Sequence, residues 1–251
     1  MSRLAVVIAA YNEEENVEVL TRRLHQTLST LAGWIWEIVY VVEGRDRTRE
    51  ILERLSAETG GIRILYQEEP AGIGNAFRRG FATVPEGTDF IVTLDADLNH
   101  QPEEIPRLLE VARRTGCDIL IGSRFLEASR VDGTPLWKRA LSGTMNVLMR
   151  YLYGLRVRDK TSGFRVYRGE VLPCLEFKGE AFAFLPEILI RASAAGLTIA
   201  EEPIHFIFRR EGRSKMAIWG TTVSYLRLLR ARFSRRSAAP KRRCSPARTG
   251  G

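Results

Sequence analysis

Five short apolar runs divide the first half of the chain, and each is followed by a polar segment with helical spacing or by a turn. The runs are LAVVIAA (4–10), WEIVYVV (36–42), IRILYQ (62–67), DFIVTLD (89–95) and DILIGSR (118–124). Continuous apolar runs of this length are typical of strands covered on both faces. Strands that alternate with helices through short loops predict a mostly parallel sheet flanked by helices, so the fold class is α/β.

The polar segments between these strands predict the helices. We expect one helix after YNEEEN (11–16), one over 46–55, one over 72–81 and one over 101–115. Asn12 is expected to cap the first of them. Glu13, Glu14 and Glu15 would then lie beside the positive end of its dipole.

Charge and cysteine content limit the function classes. The net charge of +8 comes from the end of the chain, because eleven basic and no acidic residues follow Glu211, which leaves 27 basic and 30 acidic residues in 1–211. A basic excess confined to a tail, with no zinc spacing or RNA-recognition motif, argues against a nucleic-acid-binding protein. Three cysteines without paired or metal-like spacing favour a reducing, cytosolic compartment. There is no signal peptide pattern and no apolar run long enough to span a membrane.

The fourth apolar run ends in two carboxylates, Asp95 and Asp97, within DADLNH (95–100). Ligands of an open parallel sheet bind outside the carboxyl ends of its strands. Carboxylates are hard oxygen ligands suited to Mg²⁺ or Mn²⁺, and such ions often bind one or two carboxylates together with substrate phosphates. The alternative is a strand end with solvated turn residues, but the position at the sheet edge favours a metal site.

Several motifs in order resemble family 2 glycosyltransferases: YNEEEN, GIGNAFRRG, DADLNH and GSR. DKTSGFRVYR (159–168) and FIFRREGRSK (206–215) resemble the polyprenol-phosphate sugar synthases, in the dolichol-phosphate mannose synthase branch. The resemblance covers roughly residues 4–216. It implies a GT-A type nucleotide-sugar fold, with a divalent cation, Mg²⁺ or Mn²⁺, held by Asp95, Asp97 and the amide oxygen of Asn99.

The resemblance also implies a set of donor contacts. The nucleotide sugar, GDP-mannose or UDP-glucose, would lie against Ala9, Tyr11, Asn12, Glu13, Glu43, Asp46, Gly74, Asp95 and Ala96. Relatives usually end the second strand in two aspartates, whereas this chain has VVEGRDRT (41–48) there and EEPA before GIG. Both departures fall in the nucleotide pocket. The longer side chain of Glu43 is expected to substitute for the missing carboxylates.

On the acceptor side, the resemblance implies that basic residues bind phosphate, as guanidinium groups do in pairs of hydrogen bonds. They are Arg124, Arg139, Arg165, Arg209 and Lys215. The predicted catalytic set consists of Asp97, Arg124, Arg139, Arg209 and Lys215. A phosphate acceptor has a second pKa of about 6 and is largely dianionic at neutral pH. It needs no general base, so we expect a single displacement with inversion. A hydroxyl acceptor would need a base, and Glu187 is the candidate.

Two segments combine apolar residues at helical spacing with basic residues. One is 135–154, with Trp137, Leu141, Met145, Leu148 and Leu152, and the other is 216–236. This pattern is typical of helices that lie in a lipid interface, although apolar stripes are more often core. We predict a catalytic domain over 1–215, an amphipathic basic interface helix over 216–236 and a disordered basic tail over 237–251.

The predicted protein is therefore a peripheral enzyme on the cytoplasmic face of an anionic membrane. It would transfer a hexose from a nucleotide sugar to polyprenyl or dolichyl phosphate, with or without a small membrane subunit. Two alternatives stay open. One is a family 2 enzyme with a saccharide hydroxyl acceptor, and the other is a catalytically silent nucleotide-sugar binder.

Overall fold

The computed structural model describes residues 1–179 and 183–208. Arg209, Lys215, the predicted interface helix and the predicted tail lie outside the described residues. The first part of the chain alternates strands and helices: β1 (Ser2–Tyr11), α1 (Val17–Ser29), β2 (Trp34–Glu43), α2 (Thr48–Thr59), β3 (Ile62–Gln67), α3 (Ile73–Ala82), β4 (Phe90–Asp95), α4 (Ile105–Thr115) and β5 (Ile119–Ser123). All five predicted strands and the helices between them are confirmed.

The second part contains β6 (Arg130–Asp132), α5 (Leu136–Tyr153), β7 (Arg165–Arg168), α6 (Phe184–Ala194), β8 (Ile199–Pro203) and β9 (His205–Ile207). Seven strands form one sheet in the order β3-β2-β1-β4-β7-β5-β8, and β6 pairs with β9 in a separate ribbon. All the pairings in the large sheet are parallel except those of β7. Buried apolar clusters cover both faces of this sheet, which explains why its strands are continuously apolar.

Strand β7 was not predicted, and its position changes the interpretation of Arg165. The strand lies antiparallel between β4 and β5. The side chain of Arg165 is fully buried there, and its guanidinium donates to the main-chain oxygens of Ser162, Leu185 and Lys160 at 2.8–2.9 Å. The expectation that Arg165 binds phosphate is therefore wrong, because its donors stabilise the chain around β7.

The expected capping role of Asn12 is also wrong. Helix α1 begins at Val17, so Asn12 lies outside its first turn. Asn12 adopts a φ of 51°, and its Oδ1 accepts hydrogen bonds from the main-chain N–H groups of Arg45 (3.0 Å) and Asp46 (3.3 Å). Its side chain therefore stabilises the turn after β2. Gly44 is required in that turn because a Cβ there would lie 2.1 Å from Asn12 Oδ1.

Helix α5 covers the predicted segment 135–154, but its apolar residues are divided between two faces. Met149 is buried, and Met145, Leu148 and Leu152 are half-buried against the protein. Four other large apolar side chains are exposed: Leu136 (82%), Trp137 (53%), Val147 (55%) and Tyr151 (81%). None of the helices within the described residues is both long and apolar enough to cross a membrane.

Among the cysteines of the described residues, Cys117 is buried in the apolar core and has a free thiol.

Candidate active site

The carboxyl ends of β1, β2 and β4 meet at one edge of the sheet. In the strand register Tyr11 lies beside Glu43, and Ala9 lies beside Asp95. The predicted donor contacts at the ends of three separate strands are thus neighbours. Since an open parallel sheet binds its ligands at this edge, we take it as the candidate active site.

Asp95 is the last residue of β4, and Asp97 follows in a turn that is held by unusual backbone. Leu98 is buried with a φ of 61°, a left-handed conformation that is strained for this residue type. This conformation allows the main-chain N–H of Asn99 to donate to Asp97 Oδ1 at 3.1 Å. The side-chain nitrogen of Asn99 donates to Asp97 Oδ2. For the side-chain oxygen of Asn99 to bind a cation held by Asp97, the oxygen and nitrogen of its amide must exchange places.

The two carboxylates have the electrostatics expected of a cation site. Burial and then the negative charge of Asp95 raise the pKa of Asp97 to about 7. A nearby divalent cation would relieve this repulsion. Within the described residues no group of three or more His, Cys, Asp or Glu side chains is placed to bind a metal. The two carboxylates are the donor set of an ion that takes its other ligands from substrate phosphate and water.

His100 also belongs to this site, although we did not predict it. It is buried, with its ring 5.3 Å from those of Phe164 and Phe206. Its Nδ1 lies 3.5 Å from Asp95 Oδ2, and burial lowers the pKa of His100 to about 4. The two aromatic partners come from distant parts of the chain, so only the ending DADLNH could have indicated this residue.

The candidate nucleotide pocket centres on Glu43, which is buried at the end of β2. The main-chain N–H groups of Ala71 and Gly72 lower the pKa of this carboxyl, but burial outweighs them and raises it. Its Oε1 has no hydrogen-bond partner among the described residues. A buried acceptor without a donor is available to a hydrogen-bond donor of a base or ribose. Gly74 lies nearby, buried in the first turn of α3.

The other predicted nucleotide contacts lie at or just after the carboxyl ends of β1, β2 and β4. Tyr11 is 42% exposed. Thr48 Oγ1 accepts from the main-chain N–H of Glu13 at 2.8 Å, and Asp46 accepts from the N–H groups of Glu14 and Thr48 at 3.0–3.1 Å. Ala96, between the two aspartates, is buried. These bonds fix the chain after β1 against the chain after β2.

The two predicted acceptor arginines among the described residues differ in their contacts and exposure. Arg124 forms an ion pair with the fully buried Asp159, with its Nε 2.8 Å from Oδ2 and its second terminal nitrogen 2.9 Å from Oδ1. Its guanidinium also lies over the ring of Phe206. Arg139 is exposed in the first turns of α5. The structure therefore gives Arg124 a structural role in addition to any contact with a ligand.

Glu187 is engaged as an orienting acid. It is buried in the first turn of α6 and accepts from the main-chain N–H groups of Lys178 and Gly179 and from Arg191 Nε. These contacts hold the loop before α6 and the arginine one turn later. They leave the carboxylate little freedom to act as a general base.

A mostly parallel α/β sheet with an Asp-x-Asp pair at the carboxyl end of a central strand defines a nucleotide-sugar glycosyltransferase of the GT-A type. The profile of Glycosyl transferase family 2 matches residues 5–175, so the chain belongs to that family. The protein is therefore a glycosyltransferase.

Curated relatives extend the similarity beyond the matched domain. The chain is 33% identical over 221 residues to a polyprenol monophosphomannose synthase of Mycolicibacterium smegmatis, covering 86% of this chain and 81% of the relative. It is 35% identical over 229 residues to a dolichol-phosphate mannosyltransferase of Pyrococcus furiosus, covering 90% and 62%. It is 30% identical to an undecaprenyl-phosphate mannosyltransferase of Micrococcus luteus, covering 86% and 88%.

Solved structures share the fold at lower identity. Glucosyl-3-phosphoglycerate synthase from Mycobacterium tuberculosis, in complex with Mn²⁺, UDP and phosphoglyceric acid, has a TM-score of 0.64 at 20% identity, covering 91% of this chain and 78% of that chain. The same enzyme with Mg²⁺ and UDP also has a TM-score of 0.64. These structures establish the GT-A fold and show that it binds divalent cations in that enzyme.

Proposed function

We propose that this protein transfers a hexose, mannose or glucose, from a nucleoside diphosphate sugar to a polyprenyl or dolichyl phosphate, with inversion. The observation that carries the proposal is the similarity over most of the chain to three enzymes named for mannose transfer to polyprenol, dolichol and undecaprenyl phosphates. The paired carboxylates and the exposed apolar face of α5 support it. They would supply a site for a sugar nucleotide and a surface for a lipid within one chain.

On the donor side, Asp95, Asp97 and Asn99 would hold Mg²⁺ or Mn²⁺. The bound cation would neutralise charge on the departing nucleoside diphosphate. Tyr11, with its half-exposed ring, and Glu43, with its unpartnered oxygen, would contact the nucleoside. The other donor contacts in this proposal are Ala9, Asn12, Glu13, Asp46, Gly74 and Ala96.

On the acceptor side, a phosphate dianion attacks the anomeric carbon without losing a proton. The protein therefore needs to align two anionic groups and offset their repulsion, which is a task for arginine and lysine. Arg124 and Arg139 are the described candidates. Arg209 and Lys215 complete the proposed set. A hydroxyl acceptor is less consistent with the structure, because Glu187 is already committed to the loop before α6 and to Arg191.

The lipid would approach along α5. This helix exposes two aromatic and two aliphatic side chains, it contains no acidic residue, and Arg139 and Arg150 are exposed on it. Apolar and aromatic side chains insert into the lipid interface, while each basic residue near an anionic surface adds on the order of 1 kcal/mol. We infer a peripheral enzyme on a cytoplasmic membrane face, with residues 1–215 as the catalytic domain, 216–236 as a second interface helix and 237–251 as a basic tail.

The test is a transfer assay with the full-length protein, Mg²⁺ or Mn²⁺ and polyprenyl phosphate. Radiolabelled GDP-mannose and UDP-glucose are offered separately, and counts that move into organic solvent are measured. We expect transfer from one donor to polyprenyl phosphate and none to unphosphorylated polyprenol. Absence of transfer from either donor, by folded protein that still binds nucleotide, would contradict the lipid acceptor.

The matched variant for this assay is Glu187→Gln. If the acceptor is a phosphate, this variant keeps most of its turnover, because no proton has to be removed. A large loss of turnover at unchanged donor binding would instead favour hydroxyl chemistry.

A further inference from the structure

The turn formed by residues 159–163, within the motif DKTSGFRVYR, supplies none of the donor, acceptor or metal contacts proposed above. Asp159 begins the turn and is fully buried. Its Oδ1 accepts from the main-chain N–H groups of Thr161 (3.1 Å) and Ser162 (3.0 Å). Its Oδ2 accepts from the main-chain N–H of Arg124 at 3.0 Å. Together with the guanidinium contacts of Arg124, these bonds fix the conformation of the turn.

The far end of this turn lies against the candidate metal site. A Cβ built on Gly163 would lie 2.8 Å from Asp95 Oδ1 and 3.2 Å from Oδ2. The Asp95 carboxylate therefore packs directly against the main chain of Gly163. The oxygen of Gly163 in turn accepts from Thr93 Oγ1 at 2.7 Å, two residues before Asp95 on β4. The turn thus limits where the carboxylate of Asp95 can lie.

We propose that Asp159 is a positioning residue for the metal site, acting through the turn 159–163 to hold Asp95 in its cation-binding place. The proposal rests on the proposed function only in taking Asp95 and Asp97 as cation ligands. Groups that orient a metal ligand typically change metal affinity by about 10- to 100-fold when they are removed. Asp159 differs from the usual case because it acts through main chain rather than through a hydrogen bond to the ligand.

The test measures Mn²⁺ binding to the full-length protein from the electron paramagnetic resonance signal of the free ion. Asp159→Asn keeps the shape of the side chain but removes the charge that holds Arg124 and the turn. We expect the dissociation constant for Mn²⁺ to rise about tenfold or more. Gly163→Ala, which displaces Asp95 directly, should have a similar effect. The double variant should be little worse than either single one, because both act on the same carboxylate.

Asp118→Asn is the matched control. Asp118 is also buried, and it accepts from the N–H and Oγ1 of Thr198 at 2.6–2.7 Å. It precedes β5 and so lies at the opposite end of the sheet from the site. We expect it to lower the melting temperature without changing the Mn²⁺ dissociation constant. If Asp159→Asn does not fold, Thr161→Val, which removes only the Oγ1 contacts of the turn, is expected to weaken Mn²⁺ binding to a smaller extent.

The outcomes separate this proposal from the proposed function. Unchanged Mn²⁺ affinity in Asp159→Asn, or in Thr161→Val if it takes that variant's place, overturns the positioning role and leaves the transferase proposal intact. Equal weakening by Asp118→Asn also overturns it, because the effect would then be general destabilisation. If the wild-type protein binds no Mn²⁺ either alone or with GDP or UDP present, the metal assignment and this inference both fail.

Discussion

Two aspartates, the half-buried Asp97 after β4 and the fully buried Asp159 in the turn 159–163, show how the same carboxyl group is used in opposite ways. Burial alone would raise the pKa of Asp159, but Arg124 and several main-chain N–H groups lower it to about 2. Burial and the charge of Asp95 raise the pKa of Asp97 to about 7. The first carboxylate is satisfied by the protein, whereas the second is repelled by its neighbour. A buried carboxylate that is paired with a positive charge supports structure, whereas one that faces a second carboxylate marks where a cation would bind.

The largest effect is expected when the charge of Asp97 is removed. We expect Asp97→Ala to reduce metal-dependent hexose transfer about a thousandfold or more, because a metal supplies several kcal/mol of transition-state stabilisation. The measurement is transfer of radiolabelled hexose at saturating Mn²⁺. Retained transfer would remove the metal assignment.

The variant Asp97→Asn separates this loss from unfolding. A carboxyl with a raised folded-state pKa destabilises the fold progressively as the pH rises from its ordinary value of 3.8 to about 7, and the full penalty applies above that range. At pH 8 in a chelator, Asp97→Asn should therefore melt at or above the temperature of the wild type, although it is inactive. A lower melting temperature would show that the wild-type carboxylate stabilises the metal-free fold.

The opposite result is expected at Asp159. Asp159→Leu leaves Arg124 without its buried partner, which typically costs about 3–5 kcal/mol in the free energy of unfolding. Replacing both residues, in Arg124→Leu with Asp159→Leu, should recover part of that loss because no unpaired charge remains. Urea unfolding curves measure both values. A double variant no more stable than Asp159→Leu would mean that the ion pair is not what holds the turn.

The pH dependence of stability distinguishes the contribution of His100 from that of Asp159. The folded-state pKa of His100 is about 4, below its ordinary value of 6.5. The unfolded chain therefore binds a proton that the folded protein excludes, and this contribution to stability is lost as the pH falls from 6.5 to 4. Its upper limit is about 3 kcal/mol. Asp159 loses its contribution only below pH 4, since its folded-state pKa is about 2.

The measurement is the free energy of unfolding between pH 4 and 7 for the wild type and for His100→Phe, whose ring suits a site between Phe164 and Phe206. Asp97 contributes a slope of the opposite sign in this range, so the difference between the two proteins is the relevant quantity. We expect that difference to shift in favour of His100→Phe as the pH falls. A difference independent of pH would show that His100 is not held neutral.

The amino-terminal half of the fold could be predicted because its strands are continuous apolar runs, and IRILYQ matches β3 residue for residue. The alternation with helices also located Asp95 and Asp97 at the binding edge of the sheet. Strand β7 could not be predicted in the same way, because RVYR is short and has an arginine at each end. Arg165 was interpreted as a phosphate contact, and the ion pair of Arg124 was not predicted, because a sequence gives residue types and not their partners. Carbonyl oxygens and Asp159 are those partners.

Asn12 extends the comparison to an uncharged side chain and gives the smallest expected effect. Asn12→Ala removes the acceptor for the N–H groups of Arg45 and Asp46, and it also places a residue that disfavours positive φ at 51°. We expect a loss of about 2 kcal/mol in the free energy of unfolding, divided about equally between the two causes. Asn12→Gly loses the same acceptor but tolerates the backbone conformation. It should therefore be about 1 kcal/mol more stable than Asn12→Ala in urea unfolding. If the two variants were equally stable, the side-chain hydrogen bonds alone would hold the turn after β2.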